Sequence, residues 1–540
     1  MAVNVQDLCM EYEQLLSQRR QWEPAWRDLV EFIRPNAKRI RDFQVPGAKQ
    51  TERLYDPTAP DANRKLANFL NGALTSSSTR WFNLVTRDEE LMRNREVSMW
   101  LDDTATRMYG ALQQSNFNAA APQVYASLTA MGNACTFLEE RDSLARGFGG
   151  FRFIVVPVGQ FVCGENHEGI IDTVGRAFDL SAKAAAGKFG LDALPDYIKD
   201  AYRDKPHERF QFIHLVKPRG TSGITNKKMP FGSYYFTLRD KTLVKESGYH
   251  ELPMFVPRWE VEEGDVFGRG PGHIALPDIR SLNKVKELGL QALALQVRPP
   301  LMVPHDGVRG GKTRLTPASE NVMLDDREIK PIQLGQDLKS EMVKADELRQ
   351  AIRGVFHRDL VSLPDKNYMT ATEIIKQLDL THRELGPTIG NIQDQFLRPL
   401  IDRAFGLMWR KQQFLEPPPD LAGADLDVTY EGPLARAQRS GDMTAYQGAL
   451  ALVAGMAQFD EQVLDNLDTD EQVNYIWQVS GVPMRLLRSK GKRQQIRDAR
   501  SQAAQQAAAI EGAQGTADVA LTGAQAMGAA KEAMQPQGTA

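Results

Sequence analysis

Apolar positions along the first third of the chain follow a helical period. Trp22, Trp26, Leu29 and Ile33 step by four, three and four, which places them on one face of a helical stretch over residues 5–34. Pro24 suits the first turn of a second helical segment, and Pro35 stops it. A loop-like, somewhat basic stretch follows over 36–60, carrying Lys38, Arg39, Arg41, Lys49 and Arg53. Helix returns over 59–74, with Leu66, Phe69 and Leu70 inward, until the hydroxyl run Thr75–Thr79 breaks it before Trp81 and Phe82. Two more helices are expected at 95–113 and 118–131. From 134 to 178 the period changes to two, as in antiparallel strands, with a turn at His167-Glu168-Gly169. A short helix over 179–203 interrupts them, and strands resume at 210–217, 232–246 and 253–261. Helices first and a largely antiparallel sheet afterwards make an α+β region.

The pattern then becomes a stalk with a tip. Ile279, Leu282, Val285, Leu288, Ala292 and Leu295 step by three or four in a helix over 276–298 that Pro299-Pro300 ends. Leu338, Met342, Ala345, Leu348, Ile352 and Val355 repeat the pattern over 337–357, and 300–335 between them is rich in Gly, Pro and β-forming residues. Helices of about 20 residues are about 30 Å long. After a loop at 357–369, Thr370-Ala371-Thr372-Glu373 reads as a capping box opening a long helix to about 413, which Pro387 and Pro399 kink or segment. A strand at Leu426–Tyr430 and helices over 434–489 follow. The tail is different: 14 of residues 501–540 are Ala and seven are Gln, too little apolar bulk to bury a core alone. It is either disordered or helical by association with copies of itself.

Residues 257–283, PRWEVEEGDVFGRGPGHIALPDIRSLN, set a glycine knot (Gly268, Gly270, Gly272, with Pro271) between strand and helix, the place where phosphate-binding loops occur. The spacing is two and two, Pro271 removes an amide donor, and no Lys-Ser/Thr follows, so neither a dinucleotide fingerprint nor a P-loop is present. The knot reads as a sharp backbone reversal between two layers, a task suited to glycine's access to positive φ.

Composition adds limits. At 540 residues, 42% hydrophobic and 25% charged, the chain is ordinary for a globular protein with more than one domain. No apolar run suits a membrane span, and the acidic, polar start is unlike a signal peptide. Cys9, Cys135 and Cys163 offer neither a metal pair nor a disulfide framework, in keeping with synthesis in a reducing cytoplasm. The net charge of −3 argues against an electrostatic clamp on DNA, but not against a protein past which DNA slides. No catalytic, cofactor-binding or metal constellation emerges. Asp465, Asp468 and Asp470 mimic part of an EF-hand, but Val473 stands where that loop needs Gly. His214 and His250 lie in strand-like segments, where a packed imidazole is the default.

In order along the chain stand the Trp22/Trp26 helix with Pro35, Tyr55-Asp56, Trp81-Phe82, Trp100-Leu101 and Ser115-Asn116-Phe117. Gly248-Tyr249, Pro253, Arg258-Trp259-Glu260, Gly268-Arg269-Gly270-Pro271, Leu282-Asn283 and Thr370–Glu373 come after them. Each is weak alone, but their order over more than 400 residues resembles the portal (head-to-tail connector) proteins of podovirus-type bacteriophages. The match covers residues up to about 490. The resemblance implies a portal fold. A wing would take 1–270, stem helices 271–298 and 337–357, and a β-containing clip 299–336. A tunnel loop would take 358–369, a long kinked helix returning to the wing 370–434, and a helical crown 435–490. Residues 491–540 would form a C-terminal helical barrel or a disordered tail. It also implies a ring of copies, a dodecamer in the family, at one capsid vertex of the virion, assembled in the host bacterial cytoplasm. Its partners would be the major capsid protein, scaffolding protein, terminase large subunit, tail adaptor and double-stranded DNA in transit, with no membrane.

In those terms the possible DNA-channel contacts are Arg358 and Lys366 in the loop and Arg485, Arg488, Lys492, Arg493 and Arg497 in a basic run that also holds Lys490 and Arg500. For these, a solvated face or a pairing with acids is an equal reading. Lys312 and Arg314 are possible clip contacts to terminase or adaptor, or plain surface charges. Another ring-forming virion component, such as a tail adaptor, or a hydrolase or nuclease using scattered carboxylates, stays open at this point.

Overall fold

Asn4 accepts a hydrogen bond from the Gln6 amide at 3.1 Å and caps α1 (Val5–Arg20). A turn at Gln21-Trp22 separates it from α2 (Glu23–Phe32), which has Pro24 in its first turn as the sequence predicts. The computed structural model describes residues 4–35, 37, 51, 53–141, 147–219, 229–304, 316–323, 330–331, 338–357, 384–421, 423, 425–430, 433–479, 486–488 and 491–506.

Helices α3 (Thr58–Leu74), α4 (Glu89–Arg93), α5 (Arg95–Gln113) and α6 (Phe117–Met131) follow; α3, α5 and α6 match the spacing-derived spans closely, and the short α4 was not expected. They share one large core with α2 and the strands, in which Trp26, Trp81 and Phe117 are almost wholly buried. The sheet region is antiparallel throughout. Strands β4 (Phe161–Glu165), β5 (Ile171–Ser181), β6 (Arg209–Pro218), β7 (Phe231–Phe236) and β8 (Leu243–Tyr249) lie side by side in sequence order. A second sheet orders β3 (Phe151–Val156), β2 (Cys135–Glu140) and β9 (Met254–Phe255).

Several local expectations are corrected. The helix expected over 179–203 is two, α7 (Ala182–Phe189) and α8 (Asp196–Asp204). Gly190 at φ +84° ends the first, and Pro195 precedes the second. The strand expected over 253–261 shrinks to β9, because Pro253 and Pro257 lack the N–H a ladder needs. Their carbonyls still accept from Leu138 and Ala134 at 2.9 and 3.2 Å. Phe82–Thr86 forms a strand, β1, that no local pattern announced. Its partner is β13 (Leu426–Tyr430), with Leu84 opposite Val428.

The stalk is a hairpin of two helices. The first, α9, spans Pro271–Val297, starting five residues before Leu276 with Pro271 in its first turn. Its 27 residues give a rod about 40 Å long. Its partner α10 spans Leu338–Val355. Between them β10 (Leu301–Pro304) pairs in parallel with β11 (Glu320–Met323) and antiparallel with β12 (Lys330–Pro331). The capping box at 370–373 lies outside the described residues. From 384 the chain is helical to Arg410, through a π-helical turn at Gln393–Leu397 into α11 (Arg398–Arg410). The wider turn stands just before Pro399, where an α-helix would clash with the carbonyl four residues back. Helices α12 (Pro433–Ala457) and α13 (Thr469–Val479) complete the named elements, and 491–506 is helical.

The glycine knot is a corner of close backbone approach. Gly268, Gly270 and Gly272 do not have positive φ, contrary to the expectation; Gly132, facing them at the end of α6, does, at +68°. A Cβ on Gly132 would stand 2.4 Å from the Gly268 carbonyl oxygen, and one on Gly272 would stand 2.0 Å from that of Ala130. Two backbones touch here with no room for side chains. Asn133 stitches the contact: its Nδ2 donates to Gly268 O and its Oδ1 accepts from Gly268 N, both at 2.8 Å. His273 Nδ1 accepts from the Gly270 amide at 3.3 Å.

Candidate functional site

The hairpin is anchored at one end and bare at the other. At the anchored end Asn283 Oδ1 accepts from the amides of Tyr55 and Asp56 at 2.8 and 3.3 Å. Asp56 Oδ1 caps α3 through the Thr58 amide at 2.9 Å, while its Oδ2 accepts from Arg349 Nε and a terminal guanidinium nitrogen at 2.9 and 2.7 Å. One buried carboxylate therefore ties α3 to α10, and the neighbouring amides tie the same corner to α9. Burial alone raises the Asp56 pKa, but the hydrogen bonds from Thr58 and Arg349 outweigh it and hold the carboxyl below its usual range. Arg280 pairs with Asp28 of α2 nearby.

Midway, Lys286 of α9 pairs with Glu341 of α10 at 3.0 Å, and a Cβ on Gly289 would stand 2.9 Å from that carboxylate. Towards the anchored end the spacing-derived faces are buried: Ile279 and Leu282 on α9, Ala345 and Ile352 on α10. Towards the tip Leu288 and Met342 of those faces are exposed, Ala292 and Leu295 are half-buried, and further apolar side chains off those faces stand in the open. Leu288 is 49% exposed, Leu293 47% and Val297 72%, with Leu290, Met342 and Val343 also exposed. A two-helix rod can cover only one stripe of each member, so these side chains are left largely uncovered by the described residues. Further exposed apolar residues, Leu452, Met456 and Phe459, stand on or just after α12.

Of the basic residues singled out from sequence, Arg358, Lys366, Arg485, Lys312 and Arg314 lie outside the described residues. Arg488 is exposed. Arg497 makes a two-pronged pair with Asp470, at 2.9 and 2.7 Å, and Arg493 reaches the same carboxylate at 3.3 Å. Lys492 lies on the same helical stretch and is also engaged. The acids that mimicked an EF-hand have other tasks. Asp468 caps α13 through the amides of Asp470 and Glu471, at 2.9 and 3.0 Å, and Asp470 holds the two arginines. His214 is wholly buried, stacked on Tyr235 and bonded to Ser233 at 3.0 Å, the packed imidazole expected. The sequence reading missed Arg349. Asp56 and Asn283 were visible only as members of separate short motifs, and nothing local links positions more than 200 residues apart.

A family model described as bacteriophage head to tail connecting protein matches residues 5–487. The chain belongs to that family. Among its relatives in the connector family, a portal protein of Salmonella phage epsilon15 is 28% identical over 531 residues, covering 95% of this chain and 94% of that protein. A probable portal protein of Bordetella phage BPP-1 is 27% identical over 528 residues, covering 93% of each. A solved chain from the virion of a native gene transfer agent particle aligns over 76% of this connector and 89% of its own length, at 12% identity and a TM-score of 0.32. That is too low to carry anything across. The motifs that carried the resemblance are architectural here. Trp22 and Trp26 pack on Phe267, Asn116 exchanges hydrogen bonds with the Phe153 backbone at 2.7 and 2.8 Å, and Trp100 Nε1 donates to Leu415 O at 3.0 Å. Arg258, buried, reaches Glu165, Gln395 and the carbonyls of Val266 and Gly169.

Proposed function

We propose that this chain is the portal subunit of a phage head, whose copies close into a ring at one capsid vertex. In that reading the ring nucleates head assembly, passes duplex DNA inward during packaging and outward during ejection, and docks the terminase large subunit and then a tail adaptor. The major capsid and scaffolding proteins surround it. The observation that carries the reading is the uncovered apolar half of the hairpin. Leu288, Leu290, Leu293 and Val297 with Met342 and Val343 call for a neighbouring copy, and a head-to-tail contact repeated about an axis closes into a ring. The family's twelvefold number is adopted with the reading.

The wing, stem, clip, tunnel-loop and crown boundaries given above belong to the same proposal, as do the DNA contacts from Arg358, Lys366, Arg485, Arg488, Lys492, Arg493 and Arg497 and the clip contacts from Lys312 and Arg314. The pairing of Arg493 and Arg497 with Asp470 damps the positive field of that helix. A weakly charged bore suits transit, because duplex DNA carries one charge per about 1.7 Å of axis and a strongly basic channel would hold it. Native mass spectrometry and negative-stain imaging of the purified chain test the proposal. A closed ring with a central hole is expected. A monomer over a wide concentration range sinks it.

A further inference from the structure

A cleft of about 760 Å³ opens between the N-terminal helices and the hairpin, walled by residues just after α2, the start of α3, the middle of α6 and the last turns of α10. Arg34, Arg64 and Arg353 line it. Arg64 is paired with Asp61 at 3.0 Å, and Asp61 also holds Lys65 at 3.0 Å, so the one acid among the described lining residues already serves two cations. Arg34 and Arg353 have no side-chain hydrogen bond or ion pair among the described residues, and the Nε of Arg353 is buried without a partner. Burial holds Arg34 below the usual guanidinium range. A charge held partly out of bulk water without a counter-charge is unfavourable, and two such guanidiniums lining one cleft, one after α2 and one on α10, mark a site that an anion completes.

We propose that this cleft binds an acidic polypeptide segment, whose carboxylates pair with Arg34 and Arg353. Polypeptide fits better than nucleic acid on three counts. The volume is that of a small-ligand or peptide pocket, too small to admit a duplex whose major groove alone is about 12 Å wide. No aromatic ring is among the described lining residues to stack on a base. Pro35, Pro57, Pro60 and Pro122 supply a stiff apolar wall suited to the stems of glutamate side chains. Residues 38–50 of the chain have the wrong charge for such a site, with Lys38, Arg39, Arg41 and Lys49 against Asp42.

Fluorescence anisotropy of a labelled oligoglutamate peptide with the full-length protein, in its native assembly state, tests this. Saturable binding is expected, weakened about tenfold or more per arginine in Arg34→Gln with Arg353→Gln. Arg107→Gln, an exposed site away from the cleft, leaves it unchanged. Arg34→Met has a melting temperature no lower than the parent while losing affinity, which separates binding from folding. Should the double variant not fold, Arg353→Lys serves: it keeps the charge, loses the planar fork and weakens binding about tenfold. Absence of saturable binding, or full binding by the variants, overturns the proposal. So does competition by a duplex oligonucleotide, or by inorganic phosphate as effective as the peptide, since these would make the cleft a nucleic-acid or free-anion site.

Discussion

Gly272 is the tightest point of the corner between sheet and hairpin. An added methyl would stand 2.0 Å from the Ala130 carbonyl oxygen, so Gly272→Ala must move one backbone or the other. We expect it to destabilise the fold by about 3 kcal/mol in denaturant unfolding. Gly110, in the last turn of α5 with open space around the same virtual atom, gives the opposite result: Gly110→Ala should stabilise by about 0.5 kcal/mol. His273, beside the corner, titrates abnormally. Burial, reinforced by the charge of Arg269, pushes its pKa down to about 4. The unfolded chain therefore binds the proton more readily, and the stability His273 contributes is present above pH about 6.5 and lost as pH falls towards about 4. His273→Gln should flatten that slope in melting temperature between pH 7 and 4. The sequence pointed to these glycines and to backbone geometry, but assigned them the wrong geometry. Whether a glycine serves positive φ or close approach depends on what lies opposite, here Gly132 and Ala130, which local sequence does not display.

At the scale of elements, periodicity was a good guide wherever a helix had one buried face. Helices α3, α5 and α6 and the hairpin pair emerged near their true bounds, because a 3.6-residue repeat is a property of the segment itself. Strand β1 did not emerge, since its burial is set by β13 some 340 residues later. The Asp56 junction has the same character, with ligands from α3, α9 and α10. Asp56→Ala removes the α3 cap and one of the two carboxylates that hold Arg349, leaving it Asp346 alone, and should cost about 2–3 kcal/mol. If the junction sets how the hairpin meets the N-terminal helices, limited proteolysis should then cut nearer residue 56 while the sheet region stays protected. Unchanged stability and cleavage would remove the junction from the account.

For the whole molecule, the uncovered apolar half of the hairpin makes the sharpest prediction. Leu290→Glu with Leu293→Glu places charges at two positions that are about half exposed in the subunit, at 55% and 47%, so circular dichroism should show an intact fold. Native mass spectrometry should show the ring lost or much weakened. A ring that forms as before would place the subunit contact elsewhere. Removing 501–540 should leave the ring intact, because this Ala/Gln-rich tail has little apolar surface to offer.

Membership of the connector family, most of the long helical spans and the division into sheet region and hairpin were legible in the sequence alone, because hydrophobic period and ordered motifs are written along the chain. The tertiary structure decided which faces stay bare, which arginines find a partner and which do not. Arg493 and Arg497 look like Arg34 and Arg353 in sequence. Asp470 reaches the first two, and among the described residues no acid reaches the others. That difference depends on distances between segments far apart in the chain, and only folding sets them.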